Sequence, residues 1–241
     1  SPPRMTRPLA LIDGRAYAAT WAWVRTTTTE SVNRKGEVIR HDPPLVDLTE
    51  RLFILRDDGV IFGEGGDQPP AALDVSPALP EMVQRDRRLS TAGLKAYHDG
   101  RRPDPVAVFG RVRDCVDRFI DFDHSLADQR TMAEMVACFI MATWFLDAFT
   151  VAGFLWPNGD RGSGKTQLLA VICELAYLGQ LVLAGGSFAA LRDMADYGAT
   201  LAFDDAENLG DPRKTDPDKR TLLLAGNRRG NVVPLKEKED N

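Results

Sequence analysis

The stretch WPNGDRGSGKTQLL (residues 156–169) decides the fold class of this chain. Gly159, four further residues and then Gly164-Lys165-Thr166 match the pattern G-x-x-x-x-G-K-[ST], which is typical of a loop that holds phosphate. Glycines let the backbone turn sharply and approach a ligand, so that successive N–H groups can point at phosphate oxygens. The residues predicted to surround a bound nucleotide are Gly159, Asp160, Arg161, Gly162, Ser163, Gly164, Lys165, Thr166 and Gln167.

The flanks of this loop have the context that the motif requires. The apolar run VAGFLW (residues 151–156) is interpreted as a buried strand, and residues 166–179 are apolar at helical spacing and end in a glycine. In a strand–loop–helix unit the helix N-terminus adds partial positive charge at the phosphate site. We expect Lys165 to reach the outer phosphates of ATP and the Thr166 hydroxyl to help hold Mg²⁺.

A carboxylate partner for the metal follows in YGATLAFDDAENLG (residues 197–210). This stretch predicts a strand that ends at Asp204, which would hold Mg²⁺ together with Thr166. Asp205 or Glu207 would orient and deprotonate the attacking water, and the sequence leaves open which of the two is the base. Between the two motifs, residues 181–186 predict a strand, and Ser187 is the expected N-cap of a helix.

Composition bounds the remaining possibilities. The chain of 241 residues is 44% hydrophobic and 27% charged, as in a globular protein, and its net charge of −5 restricts any nucleic-acid contact to local patches. Three scattered cysteines form no metal-binding or disulfide pattern, which favours a cytoplasmic location.

The apolar stretch 135–156 is interpreted as a helix over about residues 130–149 and the strand before the loop, because Asp147 would be costly inside a bilayer. We therefore expect no membrane contact.

The N-terminal part is predicted to be β-rich. Asp13-Gly14 and Asp57-Asp58-Gly59 are hairpin turn signals, each between strand-like runs. Trp21 and Trp23 alternate along one run and are interpreted as core residues, with a base-stacking platform as the alternative. Apolar positions at helical spacing between residues 106 and 122 predict a connecting helix. The predicted organisation is a β-rich region (1–66), a proline-rich linker (67–80), a helical connector (81–150) and the nucleotide-binding core (151–241).

Four blocks carry a resemblance to a known family, namely residues 132–149, 159–169, 187–208 and 221–237. They resemble the ATPase core of superfamily 3 and AAA+ helicases carried by phages, plasmids and integrated elements. This resemblance implies an α/β fold with a P-loop NTPase core, a parallel sheet with flanking helices. It also implies a hexameric, ATP-driven motor on single-stranded DNA, often fused to or paired with a primase.

Two departures from the family pattern affect this expectation. Asp205 stands where the family has glutamate, which is one methylene longer and would reach the water more easily. The chain also ends at Asn241, before the family's remaining strands and its arginine finger, so we expect a core that is incomplete at its C-terminus. In the block AGNRRGN (residues 225–231), Asn227 is either a sensor of the attacking water or part of a helix end.

Under the second interpretation, a basic loop after that helix faces DNA, and Arg228, Arg229 and Lys236 contact its phosphates.

Two further functions remain open at this point. A small-molecule kinase shares the phosphate loop, although the paired acids favour water as the acceptor. A nucleotide-binding module without catalysis is the other alternative.

Overall fold

The computed structural model describes residues 4–5, 7–63, 74–75, 89–182, 188–204 and 226. It is a mixed α/β chain that divides into two compact units. The first unit comprises Ser1–Ala78 with Arg88–Arg102, and the second comprises Leu79–Arg87 with Pro103–Asn241. The segment predicted as a helical connector (81–150) is thus shared between the units.

The first unit contains a four-stranded antiparallel sheet in the order β2-β3-β4-β5 and a two-stranded parallel sheet of β1 and β6. Its elements are β1 (Arg4–Met5), β2 (Leu9–Ile12), β3 (Arg15–Val32), β4 (Val38–Arg56), β5 (Ile61–Phe62), β6 (Asp74–Val75) and α1 (Thr91–His98). The Asp13-Gly14 turn joins β2 to β3, with φ angles of 50° and 75° that suit these residue types, and the predicted hairpin is confirmed. The hairpin predicted at Asp57-Asp58-Gly59 is confirmed as well, since β4 pairs with β5.

Apolar clusters cover both faces of the four-stranded sheet where β2 and β5 flank β3 and β4. Tyr17 and Ala19 pack on one face with Met5, Ile54 and Phe62, all of which are buried. On the other face, Ala22, Leu55 and Leu94 form a second cluster, to which α1 contributes Leu94. Apolar residues on both sides of β3 therefore account for its burial up to Ala22.

The second unit packs three helices around one apolar cluster. Its elements are α2 (Pro105–Phe119), α3 (Gln129–Thr143), a 3-10 turn (Leu146–Ala148), α4 (Lys165–Leu175), β7 (Gln180–Val182), α5 (Phe188–Asp196) and β8 (Leu201–Phe203). The buried members of the cluster are Val116, Ala133, Val136, Ile140, Val171, Ile172 and Ala176. β7 and β8 are parallel and pair from Gln180↔Leu201 to Val182↔Phe203. Aspartates at the N-caps begin α2 (Asp104) and α3 (Asp128).

The structure corrects the prediction for residues 151–156. Val151 makes a single bridge, the residues after it form no strand, and Val151, Phe154 and Trp156 are 51%, 63% and 67% exposed. A buried parallel strand needs a ladder along its edges and cover on its faces. In the described part of the chain, β7 and β8 pair with each other, and this run has no such ladder. The prediction of a buried strand at 151–156 is therefore wrong.

Two predicted helices are shorter than expected. The helix predicted over about 130–149 ends at Thr143, whose hydroxyl donates to the Ile140 carbonyl at 2.6 Å. The helix predicted to reach Gly179 ends at Leu175, because Ala176 has an extended backbone and Leu178 a positive φ of 44°.

Across the described residues, no helix combines the length and the apolar character that crossing a bilayer requires.

Candidate nucleotide site

The loop before α4 turns on two glycines with left-handed backbone. Gly162 has a φ of 83°, and Gly164, the N-cap of α4, has a φ of 86°; other residue types adopt such values only at a cost. Within the loop, the Ser163 N–H donates to the Asp160 carbonyl at 3.2 Å. The turn leads directly into α4, whose first N–H groups lack partners within the helix and carry partial positive charge.

The first glycine of the motif lies close to the Ser163 side chain inside the loop. A Cβ at Gly159 would lie 2.6 Å from the Ser163 Oγ and 3.2 Å from its Cβ. Just before it, the Asn158 side-chain oxygen accepts the Gly159 N–H at 3.0 Å. The sequence pattern did not identify Asn158, because that position of the motif is not specified.

Lys165 spans the loop from the first residue of α4. Its ammonium donates to the Gly159 carbonyl at 2.6 Å and to the Asp160 carbonyl at 2.8 Å. Both acceptors are neutral, and a charged phosphate oxygen is a stronger acceptor for an ammonium group. Lys165 therefore lies where an anion bound in the loop could take over its hydrogen bonds.

Thr166 and Asp204 meet although they are 38 residues apart. The Thr166 hydroxyl donates to the Asp204 carboxylate at 2.8 Å. Thr166 belongs to the first turn of α4, and Asp204 follows the last residue of β8, where its N–H donates to the Val182 carbonyl at 3.3 Å. The structure thus brings together the two residues predicted to hold the metal. A hydroxyl and a carboxylate oxygen are hard donors of the kind that Mg²⁺ takes.

Helix α3 and the turn after α4 fix the position of α4. The Trp144 indole N–H donates to the Leu175 carbonyl at 3.0 Å, and the Tyr177 N–H donates to the Thr143 hydroxyl at 2.9 Å. The Trp144 and Tyr177 rings also meet edge to face at 5.4 Å. Sequence reasoning missed these positioning contacts, because Thr143 and Trp144 lie in an apolar run that gives no sign of polar partners.

Tyr197 and Asp128 are among the groups of the second unit whose pKa values are shifted. Burial, with added repulsion from Asp196 and Asp193, raises the pKa of the Tyr197 hydroxyl, which therefore stays protonated at neutral pH. Hydrogen bonds from the Thr131 N–H and hydroxyl lower the pKa of Asp128 at the start of α3.

Several predicted site residues lie outside the described part of the chain. They are the candidate bases Asp205 and Glu207, the predicted cap Ser187, the sensor candidate Asn227 and the basic residues Arg228, Arg229 and Lys236. Gly226, beside that basic block, is described as an exposed turn residue. Of the remaining predicted loop residues, Arg161 and Gln167 are both exposed.

Within the described residues, no group of three or more His, Cys, Asp and Glu side chains could hold a metal ion by itself. No protein-family model, curated protein or solved structure matches this chain.

Proposed function

We propose that this chain is an ATPase of the DNA helicase or translocase type, from the replication system of a mobile genetic element. The observation that carries the nucleotide part of this proposal is the contact between Thr166 and Asp204 at the base of the loop that Lys165 spans. Lys165, Thr166 and Asp204 come from two separate sequence motifs, and all three meet at the N-terminus of α4. Nucleotide hydrolysis uses all three residue types.

Each described residue has a role in this proposal. The N–H groups of Gly162 and of residues 164–166 would hold the phosphates, and Lys165 would exchange its two carbonyl partners for phosphate oxygens. Thr166 and Asp204 would hold Mg²⁺, which neutralises negative charge on the phosphates when it is bound. Asp205 or Glu207 would take the proton of the attacking water as general base.

The DNA part of the proposal rests on the resemblance of the four sequence blocks. Single-stranded DNA would contact Arg228, Arg229 and Lys236 through its phosphates, which position a strand without reading its sequence. Because the chain carries a net charge of −5, such contacts must be local. The same resemblance supports assembly into a hexameric ring and a primase as a functional partner.

Calorimetric titration with ATP and Mg²⁺ tests the nucleotide site. Lys165→Ala removes a cation from the phosphates, and we expect an affinity loss of about 10- to 100-fold, as for hydrogen bonds to charged groups. Lys95→Ala is the matched control, because Lys95 is 75% exposed in α1 and pairs with Asp99 at 2.9 Å. Equal affinity of wild type and Lys165→Ala would refute the assignment of this loop.

Turnover tests the catalytic part separately. Phosphate release should require Mg²⁺, should need no other phosphate acceptor and should increase with single-stranded DNA. Asp205→Ala and Glu207→Ala distinguish the two candidate bases, since the correct one should lose turnover and keep ATP binding. ATP binding without turnover, with or without DNA, would favour a nucleotide-binding module instead.

A further inference from the structure

The longest strands of the first unit extend beyond its core as a two-stranded arm. We define the arm as residues 24–32 of β3, the turn at 33–37 and residues 38–49 of β4. Burial ends at Ala22 on β3 and at Ile54 on β4, and the arm strands have only each other as strand neighbours in the described part of the chain. At the tip, the Asn33 side-chain oxygen accepts the N–H groups of Lys35 and Glu37.

Several large apolar side chains of the arm are exposed to solvent. Val46 and Leu48 lie on one face at successive positions and are 51% and 59% exposed, and Trp23 at the base of the same face is 51% exposed. The prediction that Trp23 is a core residue is therefore wrong. A two-stranded ribbon alone is marginally stable in water, whereas three or more strands with an apolar face are stable. This geometry favours an additional strand beside the arm.

The two edges of the arm differ in their capacity to accept such a strand. β4 contains Pro43 and Pro44, which have no N–H to donate, and its register with β3 is interrupted there: Thr28 pairs with Leu45, and Glu30 pairs with Arg40. The extra residues lie on β4, so β3 continues regularly. Prolines, irregularities and charges are the usual protection of an edge against pairing.

The edge of β3 has none of this protection in its central part. Residues 24–32 read VRTTTTESV, with no proline and with four consecutive threonines that favour extended backbone. Three of those threonines are exposed. Thus only the β3 edge is suited to form a new backbone ladder.

Charge indicates what kind of chain pairs with this edge. Residues 24–49 contain four basic residues (Arg25, Arg34, Lys35 and Arg40) and four acidic residues (Glu30, Glu37, Asp42 and Asp47). Arg40 and Glu30 neutralise each other at 2.9 Å. A nucleic-acid partner requires a surplus of positive charge, and the arm has none. A polypeptide strand fits this balanced surface.

The sequence of the β3 edge is complementary to itself. Antiparallel pairing of two copies about a twofold axis near Thr27 aligns threonine with threonine, a favourable cross-strand combination. It also brings the Arg25 end of each strand beside the Glu30 end of the other, so opposite charges are neighbours. We propose that β3 pairs with β3 of a second copy of this chain and forms a continuous sheet in the order β4-β3-β3-β4. Such a twofold contact is closed on itself and independent of nucleotide.

Solution mass tests this pairing with the complete chain in the absence of nucleotide. Wild type should sediment as a dimer that dissociates on dilution. Thr27→Lys places two ammonium groups side by side at the twofold axis and should give a monomer. Thr49→Lys, the same change on β4 opposite Val24, should remain dimeric, as should Lys165→Ala. A monomeric wild type, or equal dissociation of the two lysine variants, would overturn the proposal.

A crosslink identifies the contacting strand directly. Thr27→Cys should form a covalent dimer under mild oxidation, in a background in which the exposed Cys138 is replaced by serine. Thr49→Cys should not crosslink in the same background. Crosslinking of Thr49→Cys alone would assign the contact to β4 and would likewise refute pairing through β3. Because neither readout involves ATP, failure here is distinguishable from failure of the proposed ATPase.

Discussion

Gly179 lies where the chain returns from α4 into β7, and we expect a side chain there to be tolerated poorly. A Cβ at this position would lie 2.1 Å from the Cys173 carbonyl oxygen, 2.6 Å from its Cα and 2.7 Å from its carbonyl carbon. These are backbone atoms of α4, so no change of rotamer relieves the overlap. Gly179→Ala therefore has to move the helix or the turn.

The size of the effect follows from the required movement. Ordinary contact begins near 3.4 Å, so the shortest of these distances must increase by more than about 1 Å. Overpacking of a core usually costs about 1–3 kcal/mol, and a clash with helix backbone belongs at or above the top of that range. A loss of about 3 kcal/mol is a large part of the free energy of unfolding of a typical domain, about 5–15 kcal/mol. Since α4 carries Lys165 and Thr166, ATP affinity should fall as well.

Urea unfolding and hydrogen exchange of α4 measure this loss, and exchange reports on the second unit alone. Two other glycines of that unit are controls, since an added Cβ at either meets no atom within 4 Å. Gly153→Ala should change stability by less than about 0.5 kcal/mol. Gly110→Ala, inside α2, should stabilise by about 0.5–1 kcal/mol through helix propensity. If the hydrogen-exchange rates of α4 were the same in Gly179→Ala as in wild type, the described turn would be refuted.

Three further predictions concern individual contacts. Thr166→Val removes the hydroxyl that donates to Asp204, and ATP binding should lose its dependence on Mg²⁺, measured by calorimetry with and without the metal; unchanged dependence would contradict the metal assignment. Tyr97→Phe removes the acceptor of the Gly59 N–H and the donor to the Arg56 carbonyl, and should destabilise the first unit by about 1–3 kcal/mol, seen as faster exchange at residues 57–59. Asp128 has a lowered pKa, so its stabilising effect is complete above its ordinary value of 3.8 and is lost as the pH falls through the lower folded value. Acid unfolding of Asp128→Asn should therefore depend less on pH in that range than wild type, and equal slopes would contradict this cause.

Local chemistry was sufficient to predict the two hairpin turns and the sharp glycine turn of the loop before α4. Asp13-Gly14 forms a hairpin because these residue types accept a positive φ, and Gly162 and Gly164 turn the loop for the same reason. The helical spacing of the apolar positions between residues 106 and 122 correctly predicted α2, although Phe119 at its end is 54% exposed. Turns and helical spacing depend on residues that are close together in the chain, so the sequence alone is enough to predict them.

The strand pairings beyond the hairpins could not be predicted in the same way. The run 151–156 has the apolar character of a buried strand, but a strand forms only where another strand supplies its hydrogen bonds. The arm was missed for the opposite reason, because residues 30–46 are polar and contain two prolines, yet the tight turn at Asn33 brings β3 and β4 together along their length.

The amino-acid sequence by itself determined a motif whose glycines, lysine and hydroxyl have fixed spacing, and from that motif it predicted residues that would bind phosphate and metal. Only the tertiary structure decided that Thr166 and Asp204 are hydrogen-bonded, since the parallel pairing of β7 with β8 and the packing of α4 on α2 and α3 place them at one point. Such a contact depends on the summed burial of many apolar side chains far from both residues, and no local pattern of sequence encodes that sum.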